Sequence, residues 1–377
     1  MKDPIRILHV FAQMNRGGAE TMIMNLYRNI DRSEIQFDFI VHTEEQGDFD
    51  EEIEQLGGRI YRIFRYSGKN HFAYKRAWEN FLEQHPDYKL IHGHVRSTAS
   101  IYLSIAKKRD ILTIAHSHSI KSRGSWIERI IKDTFQLPIR YIADFYFACS
   151  GNAGEWLFGK KIIHNKNYYI LKNAIEIMKY EYNESIRLKM RKELGIKNEI
   201  LLGHVGSFTS PKNHRFLIEV FHQFQNIKDS KLLLVGSGVL KKDIQKQIHD
   251  LGMENKVLLV GSVPNVQDYM QAMDVFVFPS IFEGLGIAAI EAQASGLCTI
   301  VSDKLPEEIY LTSQITTISL EKSAQYWADV IAMKTNSCNR VDTYLQLKKQ
   351  GYDVYDTAKW ISLFYSTVIK KKNNQII

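Results

Sequence analysis

Short runs of apolar, often β-branched residues alternate with longer stretches of helical periodicity along the whole chain. The short runs lack a strict alternation of apolar and polar positions, which is typical of strands buried on both faces of a parallel sheet. In the first half of the chain the pattern predicts strands at 5–11, 37–42, 90–94, 111–118, 145–150 and 168–171. It predicts helices between them at 20–29, 74–84 and 99–108.

The second half of the chain begins the same alternation again. The pattern predicts strands at 200–206, 232–236, 257–261, 275–279 and 299–302. It predicts the intervening helices at 214–224, 241–251, 268–273 and 288–295. Because the strand–helix alternation occurs twice, the sequence predicts an α/β protein in which a doubly wound fold is used two times.

Two further segments define the domain organisation. The charged, helical stretch 174–195 contains no strand pattern and is interpreted as the crossover between the domains. Near the end of the chain an apolar stripe at helical spacing predicts a last helix, which packs either back on the first domain or only on the second. We assign domains to residues 1–175 and 176–355, and assign 356–377 to a helix that packs toward the first domain.

The length and composition agree with this organisation. A chain of 377 residues suits two α/β domains, and 45% apolar with 24% charged residues is typical of a soluble globular protein. The sequence contains no run of eighteen apolar residues, and Met1 is followed almost directly by a strand pattern. We therefore expect no membrane-spanning helix, no signal peptide and a cytoplasmic location.

The net charge of +7 favours anionic partners such as nucleotide phosphates, a lipid diphosphate or an acidic membrane, but a lysine-rich composition explains it equally well. No basic run is interleaved with aromatic residues, so we expect no nucleic-acid partner. The stretch 121–140 alternates basic residues with an apolar face that includes Trp126. It is either a helix that lies on the inner face of an anionic membrane or an ordinary helix packed on the first domain.

A glycine-containing turn lies between the predicted strand 275–279 and the predicted helix 288–295. Gly284 and Gly286 allow a ligand to approach the backbone, and the helix that follows offers free N–H groups to an anion. Glu283 lies in the turn, where it would be on the sugar side of a phosphate, and Glu291 lies two helical turns later, where it could reach a ribose. The alternative is a structural turn with two exposed glutamates.

Two other strand–helix turns are candidates for phosphate binding. Lys212 follows the strand 200–206 and can place an ammonium group on a diphosphate, or it is a solvated lysine at a helix start. Gly17 and Gly18 follow the first strand and permit a phosphate or sugar to approach the backbone, although such a pair is often only a tight turn.

Histidines and acidic residues raise the question of a metal. His116 and His118 end a first-domain strand, where ligands gather in open α/β sheets. Two imidazoles are too few for zinc unless His92 and His94 join them from the neighbouring strand, so we expect no metal; buried, hydrogen-bonded histidines are the other alternative. The Asp48-Phe-Asp50 sequence lies in an acidic loop and is interpreted as solvated.

The turn at 283–291 resembles the E-x7-E signature of the retaining family 4 glycosyltransferases, which have the GT-B fold. The strand before it, ending in Pro279-Ser280, and the segment Cys298–Ser302 after it also resemble that family. The resemblance implies that Glu283 contacts the transferred sugar and Glu291 the ribose. It also implies that the backbone of the intervening turn holds the donor phosphates and sugar, through the residues Gly284, Leu285, Gly286 and Ile287.

The resemblance implies roles for the other loops as well. Lys212 matches the lysine of a pair of cations that binds the donor diphosphate, but Ser207 occupies the position of the family's arginine, which puts the efficiency of transfer in doubt unless Arg215 substitutes. Further residues are implied to contact the donor: Gly17 and Gly18 across the cleft, His118 or else His116 at the sugar, and Gly261 with Val263 at the base.

The fold implied is GT-B, with two Rossmann-like β/α/β domains that face each other across a deep cleft. The activity implied is transfer of a sugar, with retention, from a nucleotide-diphosphate donor, UDP-linked by expectation, to a glycan or lipid-linked saccharide in cell-surface polysaccharide synthesis. We expect no cofactor and no metal, and a soluble enzyme with peripheral membrane contact. The departure at Ser207 leaves a non-catalytic, nucleotide-sugar-binding subunit of a transferase pair as the alternative.

Overall fold

The computed structural model describes residues 3–119, 126, 133–337 and 339–374, and the chain forms two compact units. The first unit contains residues 1–175 together with 353–377, and the second contains residues 176–352. The chain returns to the first unit through backbone pairing of Ile175 with Asp353 and a hydrogen bond of 3.1 Å from Val354 N to Ile175 O. The second unit therefore ends at 352, three residues before the predicted boundary at 355.

The first unit is built on a parallel sheet of seven strands in the order β3-β2-β1-β4-β5-β6-β7. Six of the strands agree with the predicted positions, and the short edge strand β3 was missed. The strands are β1 (Ile5–Phe11), β2 (Ile35–Val41), β3 (Ile60–Arg62), β4 (Leu90–Gly93), β5 (Leu112–Ser117), β6 (Phe145–Ala148) and β7 (Tyr168–Ile170).

Helices cover both faces of this sheet, so successive residues of one strand enter opposite cores. In β1, Ile7 and Phe11 belong to one apolar cluster and Leu8 and Val10 to another, and all four are buried. This is why the strands lack a period of two in their sequence. The helices before the crossover are α1 (Gly18–Asn29), α2 (Asp50–Gln55), α3 (His71–Gln84), α4 (Ala99–Lys108), α5 (Ile139–Ile142) and α6 (Gly151–Phe158).

The second unit contains a parallel sheet of six strands in the order β10-β9-β8-β11-β12-β13. Five were predicted, and the edge strand β13 was missed. The strands are β8 (Ile200–Val205), β9 (Ser230–Val235), β10 (Val257–Gly261), β11 (Val275–Phe278), β12 (Cys298–Ser302) and β13 (Ile315–Ile318). The helices are α7 (Ile177–Tyr180), α8 (Glu184–Glu193), α9 (His214–Phe224), α10 (Lys241–Asp250), α11 (Val266–Ala272), α12 (Ile287–Ala294), α13 (Ala324–Thr335) and α14 (Tyr344–Lys349).

The predicted crossover segment is held to the second unit by charged side chains. Arg187 and Arg191 of α8 both pair with Asp274, at 2.5 and 3.0 Å. The same carboxylate accepts a hydrogen bond of 2.7 Å from the backbone N–H of Leu201 at the start of β8. From residue 176 onward the segment therefore belongs to the second unit, and the crossover itself lies between Ile175 and Glu176.

The last helix, α15 (Val354–Asn374), packs on the first unit. Its buried residues, among them Ile361 and Tyr365, share an apolar cluster with Met22 and Leu26 of α1. Of the two positions that the sequence allowed for this helix, the structure shows the one on the first domain. No helix within the described part of the chain has the length and apolar character needed to cross a membrane.

Most of the basic, Trp-containing stretch predicted at 121–140 lies outside the described residues. Trp126 is described and exposed, and Arg140 of α5 donates a hydrogen bond of 3.1 Å to Leu157 O. Its interpretation as a membrane-surface helix stays a prediction.

Replacing Ile361 by Ala should destabilise the first unit, because the side chain is fully buried between α15 and α1 and its loss leaves a cavity. We expect a loss of about 2–5 kcal/mol in the free energy of unfolding. Urea unfolding followed by circular dichroism measures it. Leu363→Ala on the exposed side of the same helix is the matched control, and an equal loss in both variants would contradict the packing described.

Candidate functional site

The predicted site loops of the second unit begin after strands that lie within four neighbouring positions of its sheet. The loops follow β8, β10 and β11, and β9 is the one strand between β8 and β10. Because all these strands are parallel, their carboxyl ends lie at one edge of the sheet, where ligands bind in open α/β folds. This carboxyl edge of the second unit carries the predicted residues Ser207, Lys212, Gly261, Val263, Glu283, Gly284, Leu285, Gly286 and Ile287.

Gly286 forms the junction between the turn and helix α12. It is the N-cap residue of the helix and has a φ of +84° and a ψ of 52°, a left-handed conformation that L side chains rarely adopt. A Cβ at this position would also lie 3.4 Å from the ring of Phe278. Ala289 N donates to Gly286 O at 2.9 Å, whereas the N–H groups of Ile287 and Ala288 before it have no acceptor one turn earlier within the helix. This junction therefore has the geometry of an anion-binding helix start.

Glu283 and Lys212 form an ion pair at this junction. The Lys212 Nζ lies 2.7 Å from Glu283 Oε1, and the two side chains are only 18% and 12% exposed. The ammonium group also lies 4.6 Å from the centre of the Phe278 ring, which adds a cation–π contact. Two residues from separate sequence motifs are therefore direct neighbours.

Backbone and side-chain hydrogen bonds fix the two loops against each other. The Asn213 Nδ2 donates to Pro279 O at 3.1 Å, and the Ile281 N–H donates to Pro211 O at 2.8 Å. Asn213 adopts a left-handed φ of 57°, which turns the chain from the Ser210–Lys212 turn into helix α9. Two hydrogen bonds between the loops therefore hold Lys212 and Glu283 in position for their ion pair.

Glu291 is buried inside the second unit and is 8% exposed. The Tyr180 hydroxyl of α7 donates a hydrogen bond of 2.8 Å to Glu291 Oε1. Burial raises the pKa of Glu291 to about 7, while the Tyr180 hydrogen bond and the charge of Lys212 oppose that rise. The alternative of two exposed glutamates is therefore wrong, because both carboxylates are largely enclosed and have specific partners.

The position expected to carry an arginine is occupied by Ser207, whose hydroxyl lies 3.4 Å from that of Thr209. Arg215, the suggested substitute, has a largely exposed side chain with its Nε 3.6 Å from Glu219 Oε1 on the outer side of α9. The cation contributed by these loops to the junction is thus Lys212.

The predicted base-binding loop follows β10. Gly261 has a φ of +79°, and no atom lies within 4 Å of a Cβ built at that position. The backbone conformation, and not a lack of space, therefore favours glycine here. Val263 is half-buried and precedes α11. The structure brings this loop to the same edge, and its contact with a base stays a prediction.

In the first unit, Gly17 and Gly18 lie between β1 and α1, with Gly17 as the N-cap of the helix. A Cβ on Gly17 would meet the carboxylate of Glu20, whereas nothing lies within 4 Å of a Cβ on Gly18. The backbone at Gly18 is therefore open to a ligand, and its role in binding stays a prediction.

The histidines of the first unit are largely buried and contact one another. His116 Nδ1 lies 3.1 Å from His92 Nε2, and His118 Nε2 lies 2.8 Å from His94 Nδ1. Burial lowers the pKa of His118 to about 3, so its ring is neutral. His116 is 1% exposed while His118 is half-buried just beyond the end of β5, which makes His118 the more accessible candidate.

The interpretation of Asp48-Phe-Asp50 as solvated holds for Asp48, which is exposed, but is wrong for Asp50, which is buried. Asp48 Oδ2 accepts a hydrogen bond of 3.1 Å from the backbone N–H of Arg16, and Asp50 pairs with Arg62 at 2.6 Å. Neither aspartate belongs to a group of metal-ligating side chains within the described ranges.

The comparisons with known proteins agree with this architecture. Residues 186–337 match the family model described as "Glycosyl transferases group 1", and residues 16–178 match "Glycosyltransferase Family 4". The Bacillus subtilis (strain 168) protein EpsF, provisionally described as a glycosyltransferase, is 30% identical over 378 residues that cover 98% of each chain. The chain belongs to glycosyltransferase family 4.

Two further similarities support the family and the fold. CapH of Staphylococcus aureus, described as a capsular polysaccharide biosynthesis glycosyltransferase, is 24% identical over 87% of this chain and 90% of its own. The crystal structure of Anabaena HepE in complex with UDP and glucose superimposes with a TM-score of 0.72 at 18% identity, covering 99% of this chain and 98% of HepE. This family 4 glycosyltransferase has the GT-B fold, as predicted.

Sequence reasoning missed two residues that belong to these sites. Tyr180, which binds Glu291, lies 111 residues earlier in a segment that carries no strand or turn motif. His9 of β1, whose Nδ1 lies 3.1 Å from His94 Nε2, is hidden in a strand pattern of apolar residues. A histidine inside a buried strand is itself a usable signal, because an imidazole there requires a polar partner.

The stability of the second unit should depend on pH through Glu291. Its pKa is raised to about 7 in the fold from 4.5, so the folded state holds a proton that the unfolded chain releases between these values. The contribution of Glu291 is therefore complete below pH 4.5 and is lost as the pH rises through 7, with a total on the order of 3 kcal/mol. Glu291→Gln should remove this dependence.

Urea unfolding of the wild type and Glu291→Gln at pH 5 and pH 8 measures the effect. The unfolding free energy of the wild type should fall relative to that of Glu291→Gln when the pH is raised from 5 to 8. Glu193→Gln, at an exposed glutamate of α8, serves as the control. A difference that is the same at both pH values would show that Glu291 is not buried as described.

Proposed function

We propose that this glycosyltransferase transfers a sugar from a UDP-sugar, with retention of the anomeric configuration, to an acceptor of cell-surface polysaccharide synthesis. The observation that supports it most is the Lys212–Glu283 pair, which lies beside the start of α12 at the carboxyl edge of the second unit. The Lys212 ammonium and the start of α12 suit a diphosphate, and the Glu283 carboxylate suits the hydroxyl groups of a sugar joined to it.

The leaving group is the nucleoside diphosphate. As the bond between the sugar's anomeric carbon and the phosphate oxygen breaks, its electron pair stays on the diphosphate. The oxygen of the acceptor hydroxyl forms the new bond to the anomeric carbon, and the hydroxyl proton passes to the departing diphosphate oxygen. Lys212 and the free N–H groups of α12 stabilise the growing negative charge, so we propose that the transfer step requires no metal. Glu283 positions the sugar and stabilises the positive charge that develops on its ring.

Glu291 is proposed to bind the ribose of the donor. Its Oε1 is already bonded to Tyr180, which fixes the carboxyl group and leaves Oε2 for a ribose hydroxyl. The structure of HepE was obtained with UDP and glucose, which supports UDP as the nucleotide tested first. The roles predicted for Gly17, Gly18, His116 and His118 stay predictions.

The acceptor is proposed to be a glycan or lipid-linked saccharide. The name of CapH refers to capsular polysaccharide biosynthesis. Because CapH is a relative of this chain, its name supports the same class of pathway here. We also propose a cytoplasmic protein that contacts the inner face of an anionic membrane, and the net charge of +7 and the basic stretch 121–140 are the features that support this contact.

Ser207 favours a second candidate, a nucleotide-sugar-binding subunit without transferase activity. With one cation at the junction instead of two, charge on a departing diphosphate is stabilised less. Such a protein would bind the nucleotide-sugar but release no UDP. The transferase is favoured because Glu283, Glu291 and Lys212 are all present and in contact with specific partners.

Lys212→Met should lower kcat by about 100- to 1000-fold, because it removes the cation that stabilises the leaving diphosphate. The measurement is UDP release from a panel of UDP-sugars in the presence of a membrane extract containing polysaccharide precursors. Lys231→Met is the matched control, since Lys231 is also 18% exposed and pairs with a carboxylate, Glu199 at 3.4 Å, in the same unit.

Both lysine variants should lose similar stability, whereas only Lys212→Met should lose turnover. Equal turnover in the two variants would rule out the proposed role of Lys212, and UDP-sugar binding without UDP release in the wild type would favour the accessory subunit. NMR of the anomeric proton in the product tests retention, and an inverted configuration would contradict it.

A further inference from the structure

Five histidines lie on one face of the three central strands of the first unit. His9 is in β1, His92 in β4 with His94 just after it, and His116 in β5 with His118 just after it. Residues two apart in a strand point to the same face, and His9 is in register with His92 on the neighbouring strand. We call these five residues the histidine cluster.

The rings of the histidine cluster approach one another through their nitrogens. The Nδ1 of His9 lies 3.1 Å from Nε2 of His94, whose Nδ1 lies 2.8 Å from Nε2 of His118. In parallel, His92 Nε2 lies 3.1 Å from His116 Nδ1, and His92 Nδ1 lies 2.7 Å from the Tyr365 hydroxyl. The seven ring nitrogens named in these contacts thus each lie within hydrogen-bond distance of another ring nitrogen or of the Tyr365 hydroxyl.

Protein hydrogen bonds leave this arrangement incomplete. Three buried nitrogens have no hydrogen-bond partner among the described residues, namely His9 Nε2, His116 Nε2 and His118 Nδ1. The rings are enclosed by aromatic side chains, with Phe37 4.3 Å from His9 and Phe11 4.2 Å from His94 between ring centres. Several buried imidazoles whose nitrogens have no hydrogen-bond partner are unusual in an apolar core, because each such nitrogen lowers the stability of the fold.

We propose that the histidine cluster binds one divalent transition-metal ion of the imidazole-preferring class, such as Zn²⁺ or Co²⁺. Two sets of three residues each offer ligand nitrogens that lie within 4.8 Å of one another: His9, His92 and His94, and His94, His116 and His118. Since His94 belongs to both sets, they are alternative positions for a single ion. This proposal goes beyond the transfer reaction and assigns the ion no part in it.

The chemistry of the cluster suits such an ion. Imidazole nitrogen is a preferred ligand of such ions, and three buried ring nitrogens of the cluster have no hydrogen-bond partner among the described residues. Tyr365, fully buried on α15, binds the other nitrogen of His92 and fixes its orientation, as the outer partners of metal-bound histidines do. The sequence allowed a metal only if His92 and His94 joined His116 and His118. The structure brings these four histidines together and adds His9 from β1.

The test uses the full chain without a histidine tag, freed of metal by a chelator and dialysed against Co²⁺. Mass spectrometry of the metal content should give one Co²⁺ per chain, and the visible absorption of Co²⁺ should show nitrogen ligation that Zn²⁺ abolishes. His94→Gln should lose this ion, whereas His164→Gln, at an exposed histidine of the same unit, should keep it. Neither readout depends on transferase activity, so a failure of the metal proposal can be distinguished from a failure of the proposed function.

His9→Gln and His118→Gln separate the two sets, because each weakens binding only if its own set holds the ion. Far-UV circular dichroism checks the fold of every variant, and if His94→Gln does not fold, these two variants replace it. A wild type that binds no Co²⁺, or binding that survives in all the folded cluster variants, would overturn the proposal. The cluster would then be a purely hydrogen-bonded array of imidazoles.

Discussion

The left-handed conformation of Gly286 is the constraint on which the site of the second unit depends. At this residue the chain leaves the loop after β11 and turns into α12, so that Glu283 stays in the loop and Glu291 enters the interior. Lys212 then pairs with the first carboxylate, and Tyr180 binds the second. Two acids eight residues apart thereby acquire different environments, one beside a cation and one buried with a raised pKa.

The parallel sheets explain why the polar side chains of each unit lie close together. All strands of a sheet end at the same edge, so loops that are distant in sequence become neighbours without any local signal. In the second unit this brings the loop after β8 against the loop after β11 through two hydrogen bonds. In the first unit it brings histidines from β1, β4 and β5 into contact, and the apolar surroundings keep them neutral.

The fold class and most strands were predictable because strands buried on both faces have a strong apolar signal. The two missed strands, β3 and β13, are short edge strands whose apolar runs include polar residues, Arg62 in β3 and Thr316 with Thr317 in β13. The equally short edge strand β7 was predicted because its sequence, Tyr-Tyr-Ile, contains none of these polar interruptions. Glu283 and Lys212 were recognisable as motif residues, but their ion pair follows from loop packing that no local pattern encodes. Tyr180 was missed for the same reason, since its partner is 111 residues away.

Calorimetric titration with UDP tests the central claim most directly, because it measures binding at the turn without an acceptor. Gly286→Ala should weaken UDP binding by at least about tenfold, since the substitution disturbs the helix start that receives the diphosphate. Gly252→Ala introduces comparable backbone strain, at a φ of +64° with open space, in a loop away from the site and should leave binding unchanged. Equal affinity of both variants and the wild type would contradict the account.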